Sequence, residues 1–161
     1  MARILATAGG AGYAPIAPGT FGSAVGVVLF VILSALHPLL FALTTAALLA
    51  LGTWAADRAE ACFGEKDDRR IVIDEVVGQL IALAPLLFFA NLAGVRTFAL
   101  LGAGFLLFRL FDIWKPGPVA WAERRFEGGA GVMLDDVAAG ALAALFVTPL
   151  ALFCSTQAAS P

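Results

Sequence analysis

The segment IVIDEVVGQLIAL, residues 71–83, places two adjacent carboxylates, Asp74 and Glu75, at the start of a strongly apolar run. The segment VMLDDVAAGALAAL, residues 132–145, repeats this design with two aspartates. Apolar runs of this kind are buried in a protein core or in lipid, where an ionised carboxylate is costly unless it has a partner. Two such segments in one chain indicate that the acids have a function.

The composition indicates a membrane protein. Hydrophobic residues make up 61% of the 161 residues and charged residues 14%, with a mean hydropathy of +0.93. In soluble domains about 45–50% of residues are apolar and about 25% are charged. A soluble chain of this length could not bury so much apolar surface. The net charge of -2 and the lack of basic tracts with interleaved aromatics exclude nucleic acid as a partner. Cys62 and Cys154 show neither metal-ligand spacing nor a disulfide framework.

Five apolar runs predict an all-α, integral membrane helical bundle that forms one membrane-embedded domain, residues 1–161. Some runs are shorter than the roughly 20 residues that span a bilayer, and flanking residues extend them. Pro38 can open the second helix. The N-terminal region lacks the continuous apolar core of a cleavable signal peptide. The predicted helices cover residues 23–36, 38–56, 76–92, 97–108 and 137–153.

The charged residues gather on one side of such a bundle. With breaks at residues 37, 62–70, 91–96 and 112–131, nine of the ten Lys and Arg residues lie on the same side, Arg96 being the exception. The positive-inside rule makes that side cytoplasmic. All twelve acidic residues fall there too. We therefore expect a multi-pass protein with its N-terminus inside, its C-terminus outside and its active site at the cytoplasmic membrane face.

The acids are candidates for metal ligation. The helix dipole alone favours acids at a helix start, but two pairs at the start of apolar helices favour a further role. Hard carboxylate oxygens suit Mg²⁺, which keeps several waters and is completed by substrate phosphate. Gly78 and Gly140, each four residues after an aspartate, are expected to leave room for a bound group. The predicted Mg²⁺ ligands are Asp74, Glu75, Asp112, Asp135 and Asp136.

The segment FRLFDIWKPGPVAW, residues 108–121, supplies cations for phosphate. Arg109 can bind phosphate bidentately and Lys115 can bind it as a point charge. The alternative is a simple ion pair between Arg109 and Asp112, which share one helical face. A flexible glycine loop, EGGAGVMLDD at residues 127–136, is then expected to lead into the last acid pair.

The segment YAPIAPGTFGS, residues 13–23, reads as an irregular loop because of its Pro and Gly residues. Thr20 and Ser23 are expected to cap a helix that begins near Ser23. Free N–H groups at such a helix start also attract phosphate. Capping alone and phosphate binding are both compatible with this segment.

Acidic metal ligands together with phosphate-binding cations indicate metal-assisted phosphoryl chemistry. His37 is the only histidine and is predicted on the opposite side, which excludes histidine-nucleophile and Ser-His-Asp catalysis. The rival interpretation is a small membrane transport or channel subunit with acidic helix ends that line a cation path. It is disfavoured because no acid lies in the central part of any apolar run.

The motifs PIAPGTFGS, IVIDEVVGQ, FRLFDIWKPGPV and GGAGVMLDDVAAG, in this order over residues 15–140, resemble those of the phosphatidylglycerophosphatase A family. The resemblance implies a Mg²⁺-dependent enzyme of the bacterial inner membrane. Its substrate would be phosphatidylglycerophosphate, hydrolysed to phosphatidylglycerol and inorganic phosphate in phospholipid biosynthesis. Its partners would be this lipid and the bilayer, and a homo-oligomer is compatible with the pattern.

Eight residues occupy positions that match the family's motifs. We infer that the acids hold Mg²⁺ and orient a water, while the cations and the loop at residue 20 bind phosphate. Glu75, Asp112 and Asp136 are expected to be catalytic, with Glu75 or Asp136 as the general base. Direct attack by water is the simplest mechanism, and a covalent carboxyl-phosphate is left open. The matching residues are Thr20, Asp74, Glu75, Arg109, Asp112, Lys115, Asp135 and Asp136.

Overall fold

The computed structural model describes residues 1–66, 68–89 and 94–158. Throughout these residues the chain forms helices and no strands, which confirms the all-α prediction. Two 3₁₀ turns, Ala8–Tyr13 and Ala84–Phe88, follow the first and fourth α-helices. The α-helices are α1 (Ala2–Ala6), α2 (Pro18–Leu33), α3 (Pro38–Phe63), α4 (Ile73–Leu83), α5 (Val95–Trp114), α6 (Gly117–Arg125) and α7 (Gly128–Ala158).

Three helices, α3, α5 and α7, are long and apolar enough to cross a membrane. Only 28% of the apolar window of each is buried inside the protein, so most of this apolar surface is available to lipid. Helix α2 is apolar but has 16 residues. The five predicted runs correspond to α2, α3, α4 with its 3₁₀ extension, α5 and α7. The predicted break at residues 91–96 begins in residues 91–93, which lie outside the described part of the chain.

Helix α4 is the centre of the bundle. Nine of its 11 residues are buried, including Val77, Leu80 and Leu83, which have no exposed surface. It packs against α2, α3, α5 and α7. At 1.5 Å per residue it is about 16 Å long, roughly half the thickness of a bilayer core. Because other helices surround it, α4 needs neither the length nor the lipid-facing surface of a spanning helix.

The backbones of α4 and α7 touch where they cross. A Cβ atom on Gly140 would lie 2.3 Å from the carbonyl oxygen of Gly78. A Cβ atom on Gly78 would lie 2.5 Å from the Phe108 ring and 2.7 Å from the carbonyl oxygen of Asp136. The prediction that these glycines leave room for a bound group is therefore wrong. Their space is filled by protein, and their function is to let the two helices approach.

The segment between α5 and α7 differs from the predicted loop. Helix α6 forms within it and buries Val119 and Ala122. Apolar runs do not predict this helix, because its sequence is short and mixes polar with apolar residues. Helix α7 begins at Gly128, so the glycines lie in its first turn and not in a flexible loop. The carboxylate of Asp57 on α3 accepts a hydrogen bond from the Gly129 N–H and stabilises this helix start.

We expect Gly140→Ala to destabilise the protein. In an open helix this change stabilises by about 0.5–1 kcal/mol, but here the added methyl group overlaps the Gly78 backbone, and overpacking costs about 1–3 kcal/mol. The matched control is Gly102→Ala on α5, where a Cβ atom meets nothing within 4 Å. Thermal unfolding in detergent should show a lower Tm for Gly140→Ala only. Equal Tm values for the two variants would contradict the close crossing.

Candidate active site

A polar cavity of about 340 Å³ lies where the start of α2, the start of α4, the end of α5 and the first turns of α7 meet. Its lining contains all five predicted acids and both predicted cations. Two larger grooves, of about 560 and 590 Å³, are lined almost entirely by apolar groups and lack charged side chains. A second polar cavity, of about 450 Å³, is lined by Glu65, Asp68, Arg69 and Arg70 and contains none of the predicted site residues. The cavity of about 340 Å³ is therefore the place where the predicted acids and cations come together.

Three carboxylates in this cavity converge on one point. One oxygen each from Asp74, Glu75 and Asp136 lie within 4.8 Å of one another. Asp74 and Asp136 are only 8% and 3% exposed. Asp74 Oδ1, Glu75 Oε2 and Asp136 Oδ2 are buried and have no hydrogen-bond partner in the described structure. Buried polar atoms rarely lack partners, and three hard oxygens directed together fit a divalent cation such as Mg²⁺.

The crossing of α4 and α7 produces this triad. Asp74 and Glu75 lie in the first turn of α4, within one turn of Gly78. Asp136 lies one turn before Gly140, so the glycine contact brings the acids of both helices together. The expectation that both pairs sit at a helix start holds for α4 only. In α7 the aspartates lie two turns inside the helix, because α7 begins at Gly128.

The two cations are held against the cavity wall by acids. Arg109 Nη1 lies 2.7 Å from Asp112 Oδ2 and 3.7 Å from Glu75 Oε1. Lys115 Nζ lies 2.9 Å from Asp135 Oδ2. The ion pair expected as an alternative for Arg109 and Asp112 is therefore present, and it coexists with a place in the cavity lining. Asp112 and Asp135 are not part of the group of three converging oxygens, and each pairs with a cation. Their roles as Mg²⁺ ligands, and the catalytic role of Asp112, stay predictions.

The pKa values of the triad and of Lys115 are shifted by different physical causes. Burial, followed by the neighbouring carboxylate of Glu75, raises the pKa of Asp74 well above its ordinary value. Burial also raises the pKa of Glu75. Desolvation opposes the charge of Lys115, but hydrogen bonds to Glu123 and Asp135 raise its pKa above the ordinary value. Lys115 thus remains charged at neutral pH. The carboxylates of the triad, in contrast, have too little positive charge nearby to offset the cost of ionisation in a buried place.

The start of α2 differs from the prediction. The helix begins at Pro18 and not near Ser23, since the fixed φ of proline suits a first helical position. Ser23 and Thr20 are therefore inside the helix. The Ser23 hydroxyl donates to the Gly19 carbonyl over 2.9 Å and caps nothing. Thr20 is not among the residues that line the cavity, while Ala17, Pro18 and Gly19 are.

Gly19 allows α2 to lie directly against the acids. A Cβ atom at this position would lie 2.1 Å from Glu75 Oε1 and 3.1 Å from Arg109 Nη1. Only a residue without a side chain leaves Glu75 and Arg109 in their observed positions. In the sequence, Gly19 is recognisable only as part of a predicted loop, because close packing of this kind leaves no signal in a single sequence.

Arg69 is a further cavity residue that the sequence analysis did not assign. It is exposed and lies in the turn before α4, next to Arg70. The signal that could have found it is a pair of arginines placed directly before the first acid motif. Residues 59–70 contain none of the quoted family motifs, so the motifs did not indicate Arg69.

Together, the fold and the cavity define a helical membrane protein with a carboxylate triad and adjacent cations, a site suited to a phosphorylated ligand. Comparison with known proteins identifies the group to which it belongs. The family model described as Phosphatidylglycerophosphatase A matches residues 4–151. The chain belongs to this family, which confirms the resemblance seen in its motifs. It is a lipid phosphatase, and the transport interpretation is set aside.

Curated relatives agree with this assignment. Proteins named Phosphatidylglycerophosphatase A from Escherichia coli (strain K12) and Haemophilus influenzae are 33% and 38% identical to this chain. The alignments cover 88% and 90% of the chain and 78% and 85% of the relatives. A protein of Bacteroides thetaiotaomicron named Putative phosphatidylinositol-3-phosphatase is 44% identical, over 85% of each chain. No solved structure matches the chain.

We expect Gly19→Ala to reduce phosphatase activity about 10- to 100-fold, because displacements near 1 Å in an active site have effects of this size. The added methyl group displaces the ends of two flexible side chains, Glu75 and Arg109, so Tm should change little. The control is Gly117→Ala, where a Cβ atom meets nothing within 4 Å. Phosphate release and thermal unfolding measure the two effects. Full activity of Gly19→Ala would show that the positions of Glu75 and Arg109 are unimportant.

Proposed function

We propose that this protein is a Mg²⁺-dependent phosphatase that hydrolyses phosphatidylglycerophosphate to phosphatidylglycerol and inorganic phosphate. The observation that carries the proposal is the convergence of one oxygen each from Asp74, Glu75 and Asp136 beside two cations in one cavity. Each of these carboxylates also has a buried oxygen without a hydrogen-bond partner in the described structure. The names of the relatives from E. coli and H. influenzae support the substrate. We place the enzyme in the bacterial inner membrane, with this cavity facing the cytoplasm.

Asp74, Glu75 and Asp136 are the residues that would hold Mg²⁺, since one carboxylate oxygen of each lies within 4.8 Å of the others. When bound, the ion would neutralise charge on the phosphoryl group and make a water more acidic. Arg109 and Lys115 bind the phosphate oxygens. Their acidic partners keep them in place before the substrate arrives, so little reorganisation is needed as charge moves in the transition state.

The chemistry is a displacement at phosphorus. A water attacks phosphorus opposite the glycerol oxygen of the headgroup, and its proton passes to the carboxylate of Asp136 or Glu75 as general base. The bond between phosphorus and the glycerol oxygen then breaks, and this oxygen leaves with a proton taken up from the site. Asp112, at 2.7 Å from Arg109, directs the guanidinium group towards the phosphate.

The surroundings of the cavity suit a lipid substrate. Helices α2 and α5, which contribute Gly19 and Arg109 to the cavity, continue into the apolar groove of about 560 Å³. A phosphorylated headgroup can therefore occupy the polar cavity while its acyl chains stay in contact with apolar surface. A soluble sugar phosphate would leave this apolar surface unused.

A second candidate substrate is phosphatidylinositol 3-phosphate, which is favoured by the name of the relative from B. thetaiotaomicron. Both lipids carry a terminal phosphomonoester on a polyol that is joined to diacylglycerol through a phosphodiester. The triad and the cations act on the phosphomonoester, and this part is common to the two substrates. A direct comparison of the two lipids separates the candidates.

We expect purified protein in detergent to release phosphate from phosphatidylglycerophosphate faster than from phosphatidylinositol 3-phosphate, phosphatidate or a soluble phosphomonoester. EDTA should abolish the activity and added Mg²⁺ should restore it, because the only described ion pair of the triad, between Arg109 and Glu75 at 3.7 Å, leaves the three carboxylates short of positive charge. Inorganic phosphate release measures each rate. Full activity in excess EDTA would refute the metal mechanism. Faster phosphate release from phosphatidylinositol 3-phosphate would show that this lipid, and not phosphatidylglycerophosphate, is the preferred substrate.

We expect Asp74→Asn and Asp136→Asn to be nearly inactive, with losses of about 100-fold or more, because each change removes a metal ligand or the proton acceptor. The amide is nearly isosteric, so both variants should insert and melt almost like the wild type. Glu127→Gln, at an exposed position outside the cavity lining, is the control and should keep most activity. Near-wild-type turnover of both aspartate variants would show that the acids only stabilise their helices.

A further inference from the structure

We propose that Arg69 determines substrate specificity by binding the phosphodiester of a lipid headgroup that carries two phosphates. This inference rests on the proposed function and deepens it. Arg69 lines the same cavity as the carboxylate triad. It is exposed, and it lies in the turn that leads into α4, outside the group formed by the triad, Arg109 and Lys115.

Hydrogen bonds on both sides of Arg69 define the turn from residue 68 to residue 71. The Asp68 carboxylate accepts hydrogen bonds from the Arg70 backbone N–H, over 2.9 Å, and from Arg70 Nε, over 2.7 Å. The Ile71 N–H donates to the Asp68 carbonyl oxygen over 2.8 Å. The Arg70 guanidinium group also lies 3.8 Å from the centre of the Phe63 ring. These contacts stabilise the turn that places Arg69 in the lining of the cavity.

The hydrogen bonds between Asp68 and Arg70 persist at neutral pH. The hydrogen bond from Arg70 holds the pKa of Asp68 below its ordinary value, so the carboxylate stays ionised. Asp68 is only 3% exposed, which limits competition from water. Arg70 is thus engaged in stabilising the turn, whereas the side chain of Arg69 extends from it.

Arg69 lies near the Asp68 carboxylate, which helps to lower the pKa of Asp68, but it forms no ion pair among the described residues. Arg109 and Lys115 each form ion pairs with acids of the cavity wall. Within residues 1–66, 68–89 and 94–158, no carboxylate lies within ion-pair distance of Arg69, as the described ion pairs of Arg70, Arg109 and Lys115 account for all that are present. An arginine that lines the cavity and has no ion-pair partner within the described part of the chain suits a second anionic group.

The chemistry of the substrate supplies such a group. The terminal phosphate lies at the triad, and a polyol spacer separates it from the phosphodiester of the same headgroup. Phosphatidate carries its phosphomonoester directly on diacylglycerol and has no second phosphate. Arg69 is expected to strengthen the binding of the two-phosphate lipid alone, which gives the enzyme a means of sparing phosphatidate.

The test compares Arg69→Gln with the matched control Arg124→Gln, an exposed arginine on α6 outside the cavity lining. The substrates are phosphatidylglycerophosphate and phosphatidate with identical acyl chains in the same mixed micelles. We expect Arg69→Gln to raise KM for phosphatidylglycerophosphate about 10-fold, as expected for a lost charged hydrogen bond, with little change in kcat. Both constants for phosphatidate should stay unchanged. Arg69→Lys should recover part of the affinity, because it restores the charge without the guanidinium fork.

Four outcomes would overturn the role of Arg69. Equal rises in KM for both lipids would indicate a general electrostatic effect, as would an equal rise for Arg124→Gln. An unchanged KM for phosphatidylglycerophosphate, with the wild type active, would refute the role of Arg69 and leave the proposed function intact. A wild type that releases phosphate from neither lipid would refute both, so the two failures can be distinguished.

Discussion

The contact of two helix backbones at Gly78 and Gly140 is the constraint on which the active site depends. It allows α4 and α7 to approach until a Cβ atom at the crossing would lie 2.3 Å from a carbonyl oxygen. One turn away on each helix are the acids of the triad. A wider crossing would separate Asp74 and Glu75 from Asp136, and three isolated buried carboxylates would be a cost without a function.

The same constraint explains the distribution of charge around the cavity. Carboxylates forced together in a poorly solvated place repel one another and disfavour ionisation. Arg109 and Lys115 offset only part of the negative charge of the triad, because their close ion pairs are with Asp112 and Asp135. A divalent cation would supply the missing positive charge at the centre. Division of five acids into a triad and two cation partners is thus a consequence of geometry and electrostatics.

The membrane setting accounts for the unequal lengths of the helices. The outer helices α3, α5 and α7 have the length and apolar surface that lipid requires. Helix α4 is short because it is enclosed by its neighbours and contacts little else. Its N-terminal turn therefore places acids below the surface of the bundle, where a headgroup can reach them while the acyl chains remain against the apolar grooves. This arrangement suits hydrolysis of a phosphate attached to a lipid.

Composition, apolar runs and motifs were enough to predict the all-α membrane class and the family. They also predicted seven charged residues of the cavity lining, Asp74, Glu75, Arg109, Asp112, Lys115, Asp135 and Asp136. They did not reveal α6, the true start of α7 or the packing role of Gly78 and Gly140, which depend on contacts between segments distant in the chain. Thr20 matched a motif but is not part of the cavity lining, whereas Arg69 matched none and lines the cavity. Only the tertiary structure decided which acids form the triad and which pair with cations. The physical reason is that local patterns specify helices and their apolar faces, while the distance between two helices is set by side chains that are present or absent at their crossing.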